Sequence, residues 1–224
     1  MIPKKIHYCW FGKKEKPALV KKCLENWTHY FPGWEIIEWN EDNSPLHIPY
    51  VKNALNKKRY AFAADYVRFY ALYTHGGIYL DTDMEIIKDL TPLLENDFFI
   101  GKESNEFINA AVVASKKNGR IANVILDALN REDAIIFQSI PKIITTVINN
   151  EIGIENLLSS EKIYDFTYFY PYNPYDKDRN DVDILFYSDI KPETYAIHHW
   201  QKSWKFSFYE RVIHKIRSIK NKNT

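Results

Sequence analysis

The chain has 224 residues, with 30 Lys plus Arg against 29 Asp plus Glu. This near-balance leaves no global field to draw in nucleic acid. The length suits one domain with a core that needs no covalent staples, and the two cysteines, Cys9 and Cys23, make no disulfide framework and fit a reducing cytoplasm. No apolar run approaches the ~20 residues that span a bilayer, and Met1-Ile2-Pro3-Lys4-Lys5 carries no apolar signal segment. A cytoplasmic chain is therefore expected. Aromatic residues are frequent (16 Tyr, 13 Phe and 6 Trp); such rings stack well on bases and sugars, though most simply fill cores.

Residues 6–11 form a short apolar run that predicts a first buried strand, stopped by Gly12 and a charged loop. Pro17 suits the first turn of a helix reaching about Trp27, with Ala18, Leu19, Cys23 and Leu24 turned inward. Phe31-Pro32-Gly33 is a turn before a second strand over 34–39. Strand, helix, strand is the signature of an α/β unit with parallel strands. Residues 59–75 then predict a helix apolar nearly all round, hence buried, and ended by Gly76-Gly77. Further strands are expected over 78–80, 98–101, 110–114 and 195–199, and helices over 121–129 and 141–149. Residues 166–183, rich in Tyr, Asn, Pro and Asp, read as a long loop. A basic amphipathic helix over 210–219 closes a tail, 205–224, beyond a domain of residues 1–204.

The chemistry concentrates around Asp81-Thr82-Asp83, which follows the apolar triplet Ile78-Tyr79-Leu80. Two carboxylates flanking one residue, where a buried strand runs into a loop, make a hard-oxygen site for Mg²⁺ or Mn²⁺ with positions left for phosphate oxygens. Alone, the tripeptide is a weak signal that reads more readily as a turn capped by Asp81 with Asp83 solvated, and its surroundings turn the reading toward a cation. Asp65 and Arg68 share one face of the preceding helix at i and i+3. They form either a private ion pair or a hydroxyl-binding carboxylate beside a diphosphate-binding guanidinium. His198-His199-Trp200 offers one imidazole to a cation, because adjacent strand residues point to opposite faces. Trp10 is either a core residue or a stacking platform for a base. A nucleotidyl- or phosphotransferase is disfavoured because no Gly-rich phosphate loop follows the first strand.

Three ordered segments resemble glycosyltransferase family 32. They are Ile2-Pro3-Lys4-Lys5-Ile6-His7-Tyr8-Cys9-Trp10-Phe11-Gly12, the block from Ala64-Asp65-Tyr66-Val67-Arg68 to Asp81-Thr82-Asp83, and Tyr195-Ala196-Ile197-His198-His199-Trp200 with Ser203-Trp204. That family includes capsular polysaccharide synthesis proteins and yeast-type mannosyltransferases, with the glucosylating clostridial toxins more distant. The resemblance implies a GT-A fold, an α/β domain whose mostly parallel central sheet is flanked by helices, and metal-dependent, retaining transfer from a nucleotide sugar.

By position it implies that Tyr8, Cys9 and Trp10 line the nucleotide site, with Trp10 on the base. Asp65 would hold sugar hydroxyls, and Arg68 the diphosphate or sugar. Tyr79 and Thr82 would sit beside the nucleotide. Asp81 would hold ribose or metal, Asp83 and His198 the metal, and Asn109-Ala110 would line the sugar pocket. Ser203 and Trp204 would close over the diphosphate. Where many relatives carry Gly-Pro before a later helix, this chain has Ile140-Pro141. The implied ligands are Mn²⁺ or Mg²⁺ and a UDP-hexose or UDP-N-acetylhexosamine, with GDP-mannose an alternative base and sugar. The implied acceptor is a saccharide or a lipid-linked saccharide in cell-surface polysaccharide synthesis. The tail would allow peripheral contact with an anionic inner membrane face. A non-catalytic sugar-nucleotide-binding module is the other alternative.

Overall fold

A computed structural model describes residues 1–131, 138–176 and 184–201. Ser203, Trp204 and the 205–224 tail lie outside the described residues. The described elements run β1 (Lys5–Cys9), α1 (Ala18–Tyr30), β2 (Glu35–Trp39), α2 (Pro49–Asn56), α3 (Tyr60–His75), β3 (Gly77–Leu80) and β4 (Met84–Ile86). They continue with β5 (Phe98–Lys102), β6 (Ile108–Ser115), α4 (Arg120–Arg131), α5 (Ile140–Val147), β7 (Glu161–Tyr164), α6 (Phe166–Phe169) and β8 (Ala196–His198).

The main sheet has the order β2-β1-β3-β6-β5-β7, and β4 and β8 form a separate two-stranded ribbon. The pairs β1–β2, β1–β3 and β5–β7 are parallel, while β6 runs antiparallel to both of its neighbours. The expected mostly parallel sheet is thus present, with β6 reversed at its centre. Strand alternation sends side chains into two cores. Tyr79 and Val113 meet Phe62, Val67 and Leu72 of α3 and Ile121 and Ile125 of α4 on one face. Ile6, Tyr8, Ile78 and Leu80 meet Cys23 and Trp27 of α1, Met84 and Ile86 of β4 and Phe169 of α6 on the other.

Some boundaries differ from the sequence expectation. Pro17 is the extended N-cap of α1, outside its first turn, and α1 runs on to Tyr30. Its fully buried residues are Val20, Cys23 and Trp27; the expected Leu19 and Leu24 pack half-buried against the same core, while Ala18 is exposed. The large Trp27 dominates the choice of face because its indole is fully enclosed and donates to the Met84 carbonyl at 2.8 Å. Helix α2, the short strands β4 and β7 and the one-turn α6 within the predicted loop carry too few residues to show a period in sequence.

His7 explains how β1 and β3 are locked. Its Nδ1 accepts from the Trp39 indole at 3.1 Å, leaving Nε2–H to donate to the Gly76 carbonyl at 2.9 Å. Burial lowers its pKa to about 4, so the ring stays neutral with both nitrogens partnered.

Gly77 must be glycine for two reasons. Its φ is +127°, and a Cβ there would lie 2.7 Å from the Lys5 carbonyl oxygen. Gly33 has φ +78° but open space around it. Gly33→Ala should cost about 1 kcal/mol from its left-handed backbone alone. Gly77→Ala should cost about 3 kcal/mol, because β1 would be pushed from β3 as well. Urea unfolding of the two variants checks this; equal costs would mean that the β1 approach is not the constraint.

Candidate functional site

The site gathers where β3 ends. The Asp81 amide donates to the Ala111 carbonyl of β6 at 2.8 Å, and the Met84 amide donates back to the Asp81 carbonyl at 3.0 Å. Residues 81–84 therefore make a tight turn that hands the chain to β4. Because β4 pairs antiparallel with β8, Met84 stands opposite His198. That register brings a residue far along the chain beside Asp83. The His199 amide donates to the Asp83 carbonyl at 3.1 Å, and the Gln201 amide to Asp83 Oδ2 at 2.7 Å.

Ligand atoms of Asp81, Asp83 and His198 all lie within 4.8 Å of one another. His198 Nε2 is 3.2 Å from Asp83 Oδ1, and its buried Nδ1 has no hydrogen-bond partner. This incomplete shell contrasts with His7, whose two nitrogens are both occupied. Two carboxylates and an imidazole suit a divalent ion of the Mn²⁺ or Mg²⁺ class. His199 turns away and meets Glu85 at 2.9 Å, so His198 is the one aimed at the acids. The Trp200 ring, on a residue with φ +53°, lies 4.2 Å from the imidazole, and its indole donates to the Tyr172 carbonyl.

Behind the acids sits Arg68, only 4% exposed. Its guanidinium donates to Asp65 Oδ1 at 2.8 Å and to the Ala110 carbonyl of β6 at 2.8 Å, and approaches Asp81 Oδ1 at 3.4 Å. It also stacks 4.6 Å over the Tyr79 ring, while the Tyr79 hydroxyl donates to Asp81 Oδ1 at 3.0 Å. Burial works against the Arg68 charge, but Asp81, Tyr79 and Asp65 outweigh it and hold the group firmly protonated. Burial pushes the Asp65 carboxyl up to about 7 against the pull of Arg68.

Asn109 on β6 is buried; its Oδ1 accepts the Ala111 amide at 2.7 Å, and its Nδ2 donates to Glu103. The Tyr170 hydroxyl accepts from the Val112 amide at 2.9 Å and donates to the Asn109 carbonyl at 3.1 Å. Its ring is 5.9 Å from that of His198.

The predicted residues fall into three groups. Asp65, Arg68, Tyr79, Asp81 and Ala110 form one buried network, Asp83 joins His198, and Asn109 lies alongside. Thr82 is half-buried between the two acids. Tyr8, Cys9 and Trp10 do not share a face. The Tyr8 and Trp10 rings belong to the α1 side, while Cys9 packs beneath α3. The Tyr8 hydroxyl donates to Glu38 at 2.7 Å, and Lys16 lies 5.7 Å over the half-buried Trp10 ring. Burial pushes the Cys9 thiol far up, which leaves it inert. Glu103, Tyr170 and Gln201 were not picked out in the sequence. Glu103 belongs to a polar hairpin turn and Tyr170 to the expected loop, and a backbone amide such as that of Gln201 leaves no mark in sequence.

Residues 17–100 match the family model of a glycosyltransferase sugar-binding region containing a DXD motif. An uncharacterized glycosyltransferase, L373 of Acanthamoeba polyphaga mimivirus, is 32% identical over 56% of this chain and 54% of its own length. Inositol phosphoceramide mannosyltransferase 3 of Schizosaccharomyces pombe is 29% identical over 52% of this chain and 34% of its own. The chain thus spans about half or less of these curated relatives. Among solved structures, the PaToxG glycosyltransferase superposes with a TM-score of 0.54 at 17% identity, covering 67% of this chain and 69% of that one. The resemblance read in the sequence and the GT-A type fold it implied are both shown.

The His198–Asp83 pair sets a pH dependence. Burial opposes the charge on each partner, but their mutual attraction prevails, raising His198 above its ordinary value and holding Asp83 below its own. In metal-free protein, the His198 contribution is full below its unfolded pKa of about 6.5 and is lost as pH rises through the raised value. The Asp83 contribution is full above about 3.9 and is lost as pH falls through the depressed value. His198→Asn should therefore destabilise more at pH 5 than at pH 9 in urea unfolding. Mn²⁺ must displace the His198 proton, so Mn²⁺ affinity should instead rise with pH. A flat Mn²⁺ profile by calorimetry would remove His198 from the ligand set.

Proposed function

We propose that this chain is a DXD glycosyltransferase that moves a hexose or N-acetylhexosamine from a UDP-sugar to a hydroxyl of a saccharide or lipid-linked acceptor, keeping the anomeric configuration, in cell-surface polysaccharide synthesis. The observation that carries this reading is the convergence of Asp81, Asp83 and His198 into one cluster, directly in front of the buried Arg68–Asp65 pair.

A Mn²⁺ or Mg²⁺ ion held by Asp81, Asp83 and His198 would supply positive charge where a departing diphosphate becomes negative. The chain's own groups prepare that place. Arg68 is fixed by Asp65, by the Ala110 carbonyl and by the Tyr79 ring before any ligand arrives, so its charge requires no reorganisation during the reaction. Asp65 gives one oxygen to Arg68 and keeps acceptor capacity for a sugar hydroxyl. Trp10, half-exposed at the end of β1, supplies a ring face for a base. Same-face attack by the acceptor hydroxyl fits a site in which the described acids are already engaged with Arg68, His198 or Asn109.

GDP-mannose is a second reading. It is favoured by the fission-yeast relative, which is named as a mannosyltransferase, and by a stacking ring that accepts either kind of base.

Asp83→Asn should abolish Mn²⁺-dependent binding of UDP or GDP in calorimetry and lower turnover by at least about a hundredfold. Retention of both by a folded variant would make the acidic tripeptide structural. Proton NMR of the product reads the anomeric configuration directly, and an inverted product would remove the same-face mechanism.

Among the described residues, no helix is long and apolar enough to cross a membrane. The basic residues of the 205–224 tail support peripheral docking on anionic lipid. Liposome flotation should show binding by the full chain that is lost from a chain ending at Trp204.

A further inference from the structure

We propose that Glu103 and Asn109 together grip one hydroxyl of the transferred sugar, making Glu103 a specificity-determining residue of the donor pocket. This rests on the sugar-transfer reading above. Glu103 sits at the end of the β5–β6 hairpin, its amide bonded to the Phe107 carbonyl at 2.8 Å and its carbonyl accepting from the Asn173 side chain at 3.1 Å. Its backbone is therefore fixed from two sides, and its half-buried side chain lies over β6.

There its carboxylate accepts from Asn109 Nδ2, its one side-chain partner among the described residues. A carboxylate offers about four lone-pair positions, so most of its acceptor capacity is open. Asn109 is fully oriented: Oδ1 is committed to the Ala111 amide and one Nδ2 hydrogen to Glu103. Its second Nδ2 hydrogen meets no acceptor among the described residues. The pair thus presents one free donor beside free acceptor oxygens. A hydroxyl, which donates one bond and accepts others, is the group this combination matches.

The position suits a sugar. The Asn109 carbonyl is tied to Tyr170, whose ring packs against His198, and the next residue's carbonyl, that of Ala110, holds Arg68. The β6 backbone carrying the pair is therefore tied toward His198 through Tyr170 and to Arg68 through the Ala110 carbonyl. The Glu103 charge is felt at His198, yet Glu103 is not among the clustered cation ligands. A carboxylate near the cation site but outside its ligand set is free to read the sugar.

The test is calorimetry in Mn²⁺ on the full chain, its Glu103→Ala and its Glu103→Gln variants. The probes are UDP, GDP, UDP-glucose, UDP-galactose, their N-acetylamino counterparts, GDP-mannose and the monodeoxy analogues of whichever donor binds tightest. Wild type should bind that donor more tightly than its bare nucleotide. Glu103→Ala should erase about tenfold of this preference while leaving bare-nucleotide affinity unchanged, and Glu103→Gln should lose less. One deoxy donor should bind wild type more weakly and lose nothing further in Glu103→Ala, the signature of a direct pair that mere loss of structure does not produce.

A preference that survives Glu103→Ala, or a loss falling equally on the bare nucleotide, overturns the proposal. Absence of any sugar preference in wild type also overturns it. Wild-type protein that binds neither UDP nor GDP overturns the transfer reading itself.

Discussion

Everything at the site depends on keeping the Arg68 guanidinium charged in a place where water cannot reach it. Removing such an ion from water costs several kcal/mol, and an imperfect set of partners would not offset it. The fold answers with partners from several directions: Asp65 from its own helix, the Ala110 carbonyl from β6, Asp81 from the turn after β3 and the Tyr79 face beneath. Each of these partners is itself held. Asp81 is fixed by its amide bond to Ala111, and Tyr79 donates to Asp81. The buried cation therefore sets the relative positions of α3, β3 and β6, and the acids at the strand end inherit that precision.

A consequence is that the two acids of the tripeptide do different work although one residue separates them. Asp81 is half-exposed and turned toward the Arg68 side. Asp83 is buried and turned toward β8, receiving the Gln201 amide on its side chain and the His199 amide on its carbonyl. The carboxylate of Asp83 is thus both a candidate ligand and the anchor of the chain segment leaving β8. Asp81 belongs to the Arg68 side, Asp83 to the C-terminal side, and a cation held by both would join the two.

Much of this was legible in the sequence because it was written locally. The all-round apolar α3, the Gly76-Gly77 stop and the acids after Leu80 are neighbours in the chain, and helical spacing alone placed Asp65 and Arg68 on one face. The choice of His198 over His199 followed from strand alternation with the family pattern, and the β4–β8 register supplies its structural cause. Alternation also accounts for Tyr8 and Cys9 lying on opposite faces of β1, with the Trp10 ring on the Tyr8 side just past the strand end. Glu103 was invisible for a different reason. Its meaning depends on the hairpin that folds it back over Asn109, and a glutamate in a polar turn is ordinarily a solvated one.

The same distinction explains why the class of chemistry is easier to reach than the substrate. Binding a diphosphate through a cation needs a few fixed charges, and these charges must be buried or clustered, so they leave strong constraints on neighbouring residues. Selecting one sugar over another needs only a hydroxyl-sized arrangement of a donor and an acceptor, the role proposed for Glu103 and Asn109, whose side chains meet over β6. Such a pair can change with little effect on the core, because the hairpin end carrying Glu103 is held by backbone bonds to Phe107 and by Asn173 at its carbonyl. The Arg68 network, by contrast, tolerates no such freedom. A substitution at the β5–β6 end therefore disturbs less of the fold than one at the acids or the buried guanidinium.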